Sequence, residues 1–314
     1  MSHCPIVIFL YKRPHHAQQL LDSLQKCSRL EECEVFIYCD GVKKPADAAG
    51  VQETRSIADE FASRNNASVV KRGQNMGLAR SIVDGVSQMC AQFGRVIILE
   101  EDFILHPYFL DFMLQSLDRY ADEEKVAQVA GFSFPINRSL GSDAYFMPII
   151  SIWGWATWRR AWNLFSWETL PALETLGNNS EIQHKFDVDG SYPYTDMLRQ
   201  VAKGQLDAWA VLWYWQTFTR NMLTLSPRES LVWQNGFDDS AVHTKEIWVG
   251  MQEPINKFLQ TNWQPVVSFP KLVETNTAAF ENLKNFLRSK SPESPTKVQK
   301  FKWSIKKTWS RISK

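Results

Sequence analysis

Residues 95–102 read Arg-Val-Ile-Ile-Leu-Glu-Glu-Asp, a short apolar run that ends in three acidic residues. An unbroken run of aliphatic residues is typical of a strand buried on both faces of a sheet. Because buried, unpaired carboxylates are strongly disfavoured, we expect Glu100, Glu101 and Asp102 at the exposed carboxyl end of a central strand, where open α/β sheets bind ligands. Carboxylates there can hold a hard divalent cation, and the cation a diphosphate. The alternative is an acidic turn in which Asp102 caps a helix that begins near Pro107.

Strands and helices alternate on both sides of this stretch. The expected strands are 5–10, 35–39, 68–71, 96–99 and 126–132, and the expected helices are 17–24, 52–64, 79–93 and 108–120. The alternation predicts an α/β fold with a doubly wound, mostly parallel sheet flanked by helices.

Charged residues follow three of these strands. Taken singly, Arg13 is explained by a surface turn and Asp40 by the turn before Gly41. Together with residues 100–102, they predict a crevice in which a guanidinium meets phosphate and a carboxylate meets a base or ribose. The sequence contains no Gly-x-Gly-x-x-Gly and no Gly-Lys-Ser/Thr loop, which excludes the usual dinucleotide and ATP motifs.

Composition narrows the class of protein further. The chain has 314 residues, 44% of them hydrophobic, which is enough for one large core or two smaller ones. Its formal net charge is +1, and because residues 297–314 carry seven basic residues and no acid, the remainder carries −6. A mildly acidic body argues against a nucleic-acid binder. The five cysteines show no paired spacing, which predicts reduced, mostly buried thiols in a cytosolic protein.

The second half is rich in tryptophan. Residues 153–158 read Trp-Gly-Trp-Ala-Thr-Trp, and an aromatic helix is expected at 211–215. Indoles beside a glycine predict either core packing or a platform for a sugar ring. Asp207 just before that helix is either a functional acid or a helix N-cap. His243 ends a polar loop, and a lone histidine is often a satisfied surface or core group.

Taken in order, these features resemble a nucleotide-sugar glycosyltransferase of the GT-A fold, similar to bacterial family 2-like sugar transferases and, more distantly, to N-acetylglucosaminyltransferase I. The resemblance spans about residues 5–245. Its most specific parts are Asn75-x-Gly77-Leu78, the Leu-Glu-Glu-Asp run of residues 99–102, and the Trp-rich segment 153–158.

The resemblance implies a role for each matching residue. Arg13 would meet the diphosphate, Asp40 the uracil, and Asp102 an Mn²⁺ or Mg²⁺ ion. Other donor-binding residues would be Asn75, Arg80, Glu100, Glu101 and His243; Asp207 would be the catalytic base; Trp153, Trp155 and Trp209 would form the acceptor or sugar platform.

The function that the resemblance implies is metal-dependent, inverting transfer of a hexosyl or N-acetylhexosaminyl group from a UDP-linked donor to a growing glycan, in synthesis of bacterial surface polysaccharide or lipopolysaccharide. The alternatives are a non-catalytic glycan-binding protein and a sugar-1-phosphate nucleotidyltransferase. We expect a nucleotide-sugar-binding half at 1–130, a Trp-rich acceptor-binding and catalytic half at 131–288, a linker at 289–296, and a basic amphipathic helix at 297–314.

The basic segment predicts membrane contact. Phe301, Ile305, Trp309 and Ile312 form one helical stripe with the basic residues largely off it, which is typical of a helix lying in a membrane interface. The alternatives are a solvated tail or a helix packed on the body. No apolar run reaches the roughly 20 residues of a membrane span. We therefore expect a cytoplasmic protein, peripheral on the inner face of the cell membrane, with a glycan or lipid-linked acceptor.

Overall fold

The computed structural model describes residues 3–134, 141–237, 252, 254–260, 262–265 and 267–290. The strands are β1 (Cys4–Leu10), β2 (Cys33–Cys39), β3 (Ala67–Lys71), β4 (Arg95–Glu100), β5 (Phe103–Leu105), β6 (Val126–Ala130), β7 (Ala144–Met147), β8 (Trp155–Trp158), β9 (Leu223–Pro227) and β10 (Val232–Gln234). The α-helices are α1 (Pro14–Leu24), α2 (Ala48–Arg64), α3 (Leu78–Phe93), α4 (Phe109–Arg119), α5 (Arg159–Trp162), α6 (Leu170–Asn178), α7 (Ser180–Phe186), α8 (Tyr194–Ala202), α9 (Ala210–Phe218), α10 (Ile255–Leu259) and α11 (Thr277–Lys290).

Eight strands form one sheet in the order β3–β2–β1–β4–β8–β6–β9–β7, and β5 pairs with β10 in a separate two-stranded sheet. Strands β3, β2, β1 and β4 are parallel to one another, whereas β8 runs antiparallel between β4 and β6. The predicted α/β fold with a mostly parallel sheet is confirmed. The boundary expected near residue 130 does not divide the sheet, because β8 from the second half lies between two strands of the first.

Both faces of the central strands are buried, which explains their uninterrupted apolar sequences. On β1, Ile6 and Ile8 belong to the hydrophobic cluster that includes residues of α1, α2 and α4. Val7 and Phe9 belong to a second cluster that includes residues of α3 and the aromatic helix α9. Because successive side chains of a strand point to opposite faces, both layers of helices pack on the same few residues.

Several smaller expectations can be compared with the structure. All five cysteines are buried and unpaired, as predicted. Helix α11 continues through Ser289 and Lys290, so the first two residues of the expected linker are helical. The remaining linker and the basic segment 297–314 lie outside the described residues. In the part of the chain that the structure describes, no helix is both long and apolar enough to cross a bilayer.

At Gly131, directly after β6, the backbone comes very close to the backbone of Gly154. The Gly131 N–H donates to Gly154 O at 2.6 Å. A Cβ on Gly131 would lie 2.7 Å from Gly154 O, and equally close to the side chains of Phe109 and Val232. Glycine permits this close approach, because any larger residue would overlap with the backbone of Gly154 on one side and with the side chains of Phe109 and Val232 on the other.

We expect Gly131→Ala to lower the free energy of unfolding by about 1–3 kcal/mol, the usual effect of overpacking a core. Urea unfolding measures the change. Gly177→Ala in α6 is the control, because a Cβ there meets no atom within 4 Å. A Gly131→Ala protein as stable as this control would contradict the close packing.

Candidate active site

The carboxyl ends of β2, β1 and β4 lie side by side at one edge of the sheet. Strand β1 is parallel to both neighbours, with Phe9 paired to Tyr38 on one side and to Glu100 on the other. Glu100, Glu101 and Asp102, called the acidic run below, lie at the end of β4. Arg13 follows β1 and Asp40 follows β2, so these residues lie at the same edge of three adjacent strands. This is the edge at which the alternation of strands and helices predicted a ligand crevice.

The acidic run is fixed by the residues that follow β1. The Tyr11 N–H donates to Glu101 Oε2 at 2.7 Å, and Arg13 Nη1 donates to Asp102 Oδ2 at 2.9 Å. The Arg13 and Asp102 side chains are only 14% and 21% exposed. Such a partly buried charge-assisted bond is stronger than a surface ion pair. Arg13 thus lies at the predicted edge, with its guanidinium on Asp102.

Asp102 does not cap a helix. It is followed directly by β5, and α4 begins only at Phe109. The alternative of an acidic strand-to-helix turn is therefore wrong. Glu101 is held by the backbone of β1's end, so the oxygen that accepts the Tyr11 N–H is already occupied within the chain.

Burial and mutual repulsion perturb the acids. Burial raises the pKa of Glu101 to about 7, opposed by the hydrogen bond from Tyr11 and reinforced by the charge of Asp102. Burial, followed by the charges of Asp102 and Glu101, raises the pKa of Glu100 well above its usual range. The crowding of three acids at one strand end thus favours the protonated forms of Glu100 and Glu101, and a cation bound there would favour their ionised forms.

The donor set fits a cation shared with a substrate. Among the described residues, no three His, Cys, Asp or Glu side chains are grouped so that they could enclose a metal ion. Mg²⁺ is commonly bound by one or two carboxylates together with substrate phosphates instead of an all-protein cage. Asp102, partly exposed at the strand edge, suits that mode of binding.

Asp40 is buried, and its two oxygens accept four hydrogen bonds. Oδ1 accepts from the N–H groups of Gly41 and Met76 at 2.8 and 2.9 Å. Oδ2 accepts from Asn75 Nδ2 at 2.9 Å and from the Gly77 N–H at 3.1 Å. Since a carboxylate has about four lone-pair sites, none remains for a uracil N–H. In this structure Asp40 holds the loop that leads into α3, and its base-reading role stays a prediction.

The two other donor-binding candidates near this loop, Asn75 and Arg80, differ in whether their side chains are bonded within the chain. Asn75 Nδ2 also donates to Gly41 O at 3.0 Å, so this amide nitrogen is used inside the loop. Gly77 has φ +77°, a conformation that side-chain-bearing residues rarely adopt. Arg80, in the first turn of α3, is exposed and pairs with no residue of the described chain. The Arg80 side chain is therefore available to a ligand, whereas the amide nitrogen of Asn75 is used within the loop.

Asp207, in the second half of the sequence, lies close to the loop before α3. A Cβ on Gly77 would lie 3.6 Å from Asp207 Oδ2. The N-cap of α9 is Trp209, so Asp207 does not cap that helix. Its carboxylate is exposed and makes no hydrogen bond or ion pair within the described residues. Both features leave it open to a ligand.

The tryptophans do not behave as one group. Trp155 and Trp209 are 0% and 3% exposed and stack on each other with ring centroids 5.4 Å apart. Neither indole can offer a face to a sugar, so the platform prediction is corrected for both. Trp153 is half-buried and contacts Phe132 and Phe237 with centroids 4.5 and 5.8 Å apart.

Two contacts at this edge were not predicted from the sequence. His16 Nε2 lies 2.9 Å from Arg13 Nη2, and Asn235 donates its N–H to Asp102 O at 2.7 Å. The spacing of three between Arg13 and His16, at the start of a helix, was an available signal for the first. The second depends on long-range pairing. His243 lies outside the described residues.

A cleft of about 540 Å³ lies elsewhere on the molecule, between the segment after α1, the segment before α4, Leu259 and residues 262–264. Its lining includes Lys26, His106 and Trp263. It contains none of the predicted site residues.

No protein-family model and no curated protein matches this chain. Three of the solved structures to which it is similar are complexes with nucleotides or nucleotide sugars. Mannosyltransferase PcManGT from Pyrobaculum calidifontis, with GDP-Man and Mn²⁺, is 15% identical at a TM-score of 0.37, and the match covers 49% of this chain and 44% of that one. TarS from S. aureus, with UDP-GlcNAc, is 16% identical at 0.34, covering 44% of this chain and 36% of that one.

The third is glucosyl-3-phosphoglycerate synthase from Mycobacterium tuberculosis, with Mn²⁺, UDP and glucosyl-3-phosphoglycerate. It is 16% identical at a TM-score of 0.34, covering 52% of this chain and 58% of that one. The matched regions thus span about half of this chain and less than two thirds of each of these proteins. The similarity to N-acetylglucosaminyltransferase I stays a prediction.

We expect Asp40→Asn to release the loop before α3, because the new amide group turns a donor toward N–H groups that need an acceptor. The loss should be about 1–3 kcal/mol of stability. Hydrogen exchange of the Met76 and Gly77 amides should accelerate. Asp59→Asn, which removes an exposed ion pair with Lys71, is the control and should leave both amides protected. Unchanged exchange in Asp40→Asn would return Asp40 to a ligand-binding role.

Proposed function

We propose that this chain is a metal-dependent, inverting glycosyltransferase that uses a nucleotide sugar, with UDP as the nucleotide. The observation that carries the proposal is the convergence of carboxylates from both halves of the chain on one edge of the sheet. Asp102 lies there at the end of β4, and Asp207 reaches the loop that Asp40 holds at the end of β2. A donor diphosphate and an acceptor hydroxyl need these two kinds of site at once.

Residues of the first half of the chain would stabilise the leaving diphosphate. Breaking a sugar–diphosphate bond builds negative charge on the diphosphate and oxocarbenium character on the sugar. Asp102 would hold Mn²⁺ or Mg²⁺, which supplies Lewis-acid stabilisation of that charge. Arg13 keeps the Asp102 carboxylate in place and adds a fixed positive charge beside it. Arg80, exposed at the start of α3, is available as a further cation for the donor.

The second half would activate the acceptor. Inversion requires a base on the face of the sugar opposite the leaving diphosphate. Asp207 suits this role because its carboxylate is exposed and unpaired within the described residues. It can accept a proton from an acceptor hydroxyl as that oxygen attacks the anomeric carbon. Trp153 is the remaining candidate for contact with a sugar ring.

The acceptor belongs to the proposal as well. We propose a growing glycan of a bacterial surface polysaccharide or lipopolysaccharide, carried on a lipid at the cytoplasmic face of the membrane. The amphipathic pattern of residues 297–314 supports this, because basic residues near an anionic leaflet would raise the local concentration of a lipid-linked acceptor. His243 remains a proposed donor-loop residue.

The alternative functions explain less. A non-catalytic glycan-binding protein would use the tryptophans, yet Trp155 and Trp209 are in the core. A glycan-binding role would also not explain why three acidic residues, Glu100, Glu101 and Asp102, lie together at one edge of the sheet. A sugar-1-phosphate nucleotidyltransferase normally has a glycine-rich loop with a lysine near the N-terminus, which is absent from this sequence.

We expect Asp102→Asn to abolish Mn²⁺-dependent binding of UDP while preserving the shape of the side chain. Calorimetry with UDP, with and without Mn²⁺, is the measurement. Asp118→Asn is the control, since Asp118 is an exposed partner of Arg95. Metal-dependent UDP binding that survives in Asp102→Asn would exclude Asp102 as the metal ligand. Absence of UDP binding by the unaltered protein would exclude the proposed function.

We expect Asp207→Asn to lower kcat by about a hundredfold or more, the usual effect of removing a general base. Its affinity for UDP should stay unchanged, because the base acts on the acceptor. Asp196→Asn on α8 is the matched control. Normal turnover in Asp207→Asn would assign the base elsewhere. A product that retains the anomeric configuration of the donor would rule out inversion.

A further inference from the structure

The segment after β10, which contains Asn235 and Gly236, lies against Asp102. Strand β10 pairs antiparallel with β5, with Gln234 opposite Phe103. One residue further, the Asn235 N–H donates to Asp102 O at 2.7 Å. The backbone of this segment is thereby fixed against the residue that we propose as metal ligand.

Gly236 contacts the Asp102 carboxylate directly. A Cβ on Gly236 would lie 2.2 Å from Asp102 Oδ2 and 2.9 Å from Asp102 Cγ. Such distances do not occur between real atoms, so an added methyl group would force something to move. Gly236 is buried and its φ is not in the left-handed region, so the demand for glycine here is steric.

Hydrogen bonds hold the backbone around Gly236 in place, so it cannot easily shift to make room for a methyl group. Besides the pairing with β5, the Gly236 N–H donates to Gln234 Oε1 at 2.8 Å. Asn235 Nδ2 donates to Gln19 Oε1 on α1 at 2.5 Å. The carboxylate of Asp102 is the end of a rotatable side chain, and it is therefore the group that an added methyl would displace.

The displacement would break the ion pair, because Oδ2 is also the atom that accepts from Arg13 Nη1 at 2.9 Å. Oδ2 is thus bounded by Arg13 on one side and by Gly236 on another. Oδ1 of Asp102 accepts no hydrogen bond from the described chain and is the oxygen left for a ligand. The orientation of that oxygen depends on both neighbours.

We infer that Gly236 is a positioning residue for donor and metal binding: its missing side chain lets Asp102 keep the conformer in which Arg13 holds one oxygen and the other faces the ligand. The inference rests on the proposed function for the identity of that ligand. The steric coupling between Gly236 and Asp102 stands apart from it and can be measured without substrate.

The first experiment measures Mn²⁺-dependent UDP binding to Gly236→Ala by calorimetry. We expect affinity about 10- to 100-fold weaker, the usual effect of disturbing a group that orients a metal ligand. Gly141→Ala is the matched control, since a Cβ there meets no atom within 4 Å. Affinity equal to that of the control would overturn the inference.

The second experiment is a double-mutant cycle in thermal unfolding. Gly236→Ala should lower Tm in the unaltered protein and lower it much less in Asp102→Ala, which removes the displaced carboxylate. The double variant also provides a folded protein if Gly236→Ala alone does not fold. Equal losses in both backgrounds would overturn the inference. An unaltered protein that binds no UDP, together with a coupled cycle, would refute the proposed function and leave the positioning contact established.

Discussion

The site depends on how three adjacent carboxylates are accommodated at the end of a central strand. Strand β4 is buried on both faces up to Leu99, and the chain then places Glu100, Glu101 and Asp102 in succession. The parallel alignment of β1 supplies the compensation: a backbone N–H reaches Glu101 and a guanidinium reaches Asp102. Because these donors follow β1 directly, the register of β1 on β4 sets the geometry of the edge.

Two loops contact residues at this edge. In the loop before α3, Asp40 accepts hydrogen bonds from backbone N–H groups, and Asp207 of the second half lies close to Gly77. In the segment after β10, the pairing of β10 with β5 brings Asn235 and Gly236 against Asp102. Residues more than 100 positions apart in sequence therefore share one small region. The insertion of β8 between β4 and β6 joins the two halves in one sheet.

The tryptophans illustrate why residue type alone does not assign a role. An indole offers the same apolar faces to a protein core as to a sugar ring. Trp155 lies on a strand that is flanked on both sides by other strands, and Trp209 packs on it, so both serve the core. Trp153, two residues before Trp155, is half-buried. Position in the sheet separates them, and one sequence does not contain that information.

The sequence by itself determined the parallel α/β core and the edge at which charged residues collect, because apolar runs ending in charge have one stable placement in a doubly wound sheet. Arg13 and Asp102 could be placed at that edge in this way, whereas Asp207 was singled out by the family resemblance and by its position before the aromatic helix. Only the tertiary structure decided how those residues are used. The hydrogen-bond partners of Asp40 and the contact of Gly236 with Asp102 come from loops distant in sequence, and short-range patterns do not encode such contacts. The antiparallel strand β8 was missed for the same reason, since its place in the sheet is decided by its neighbours.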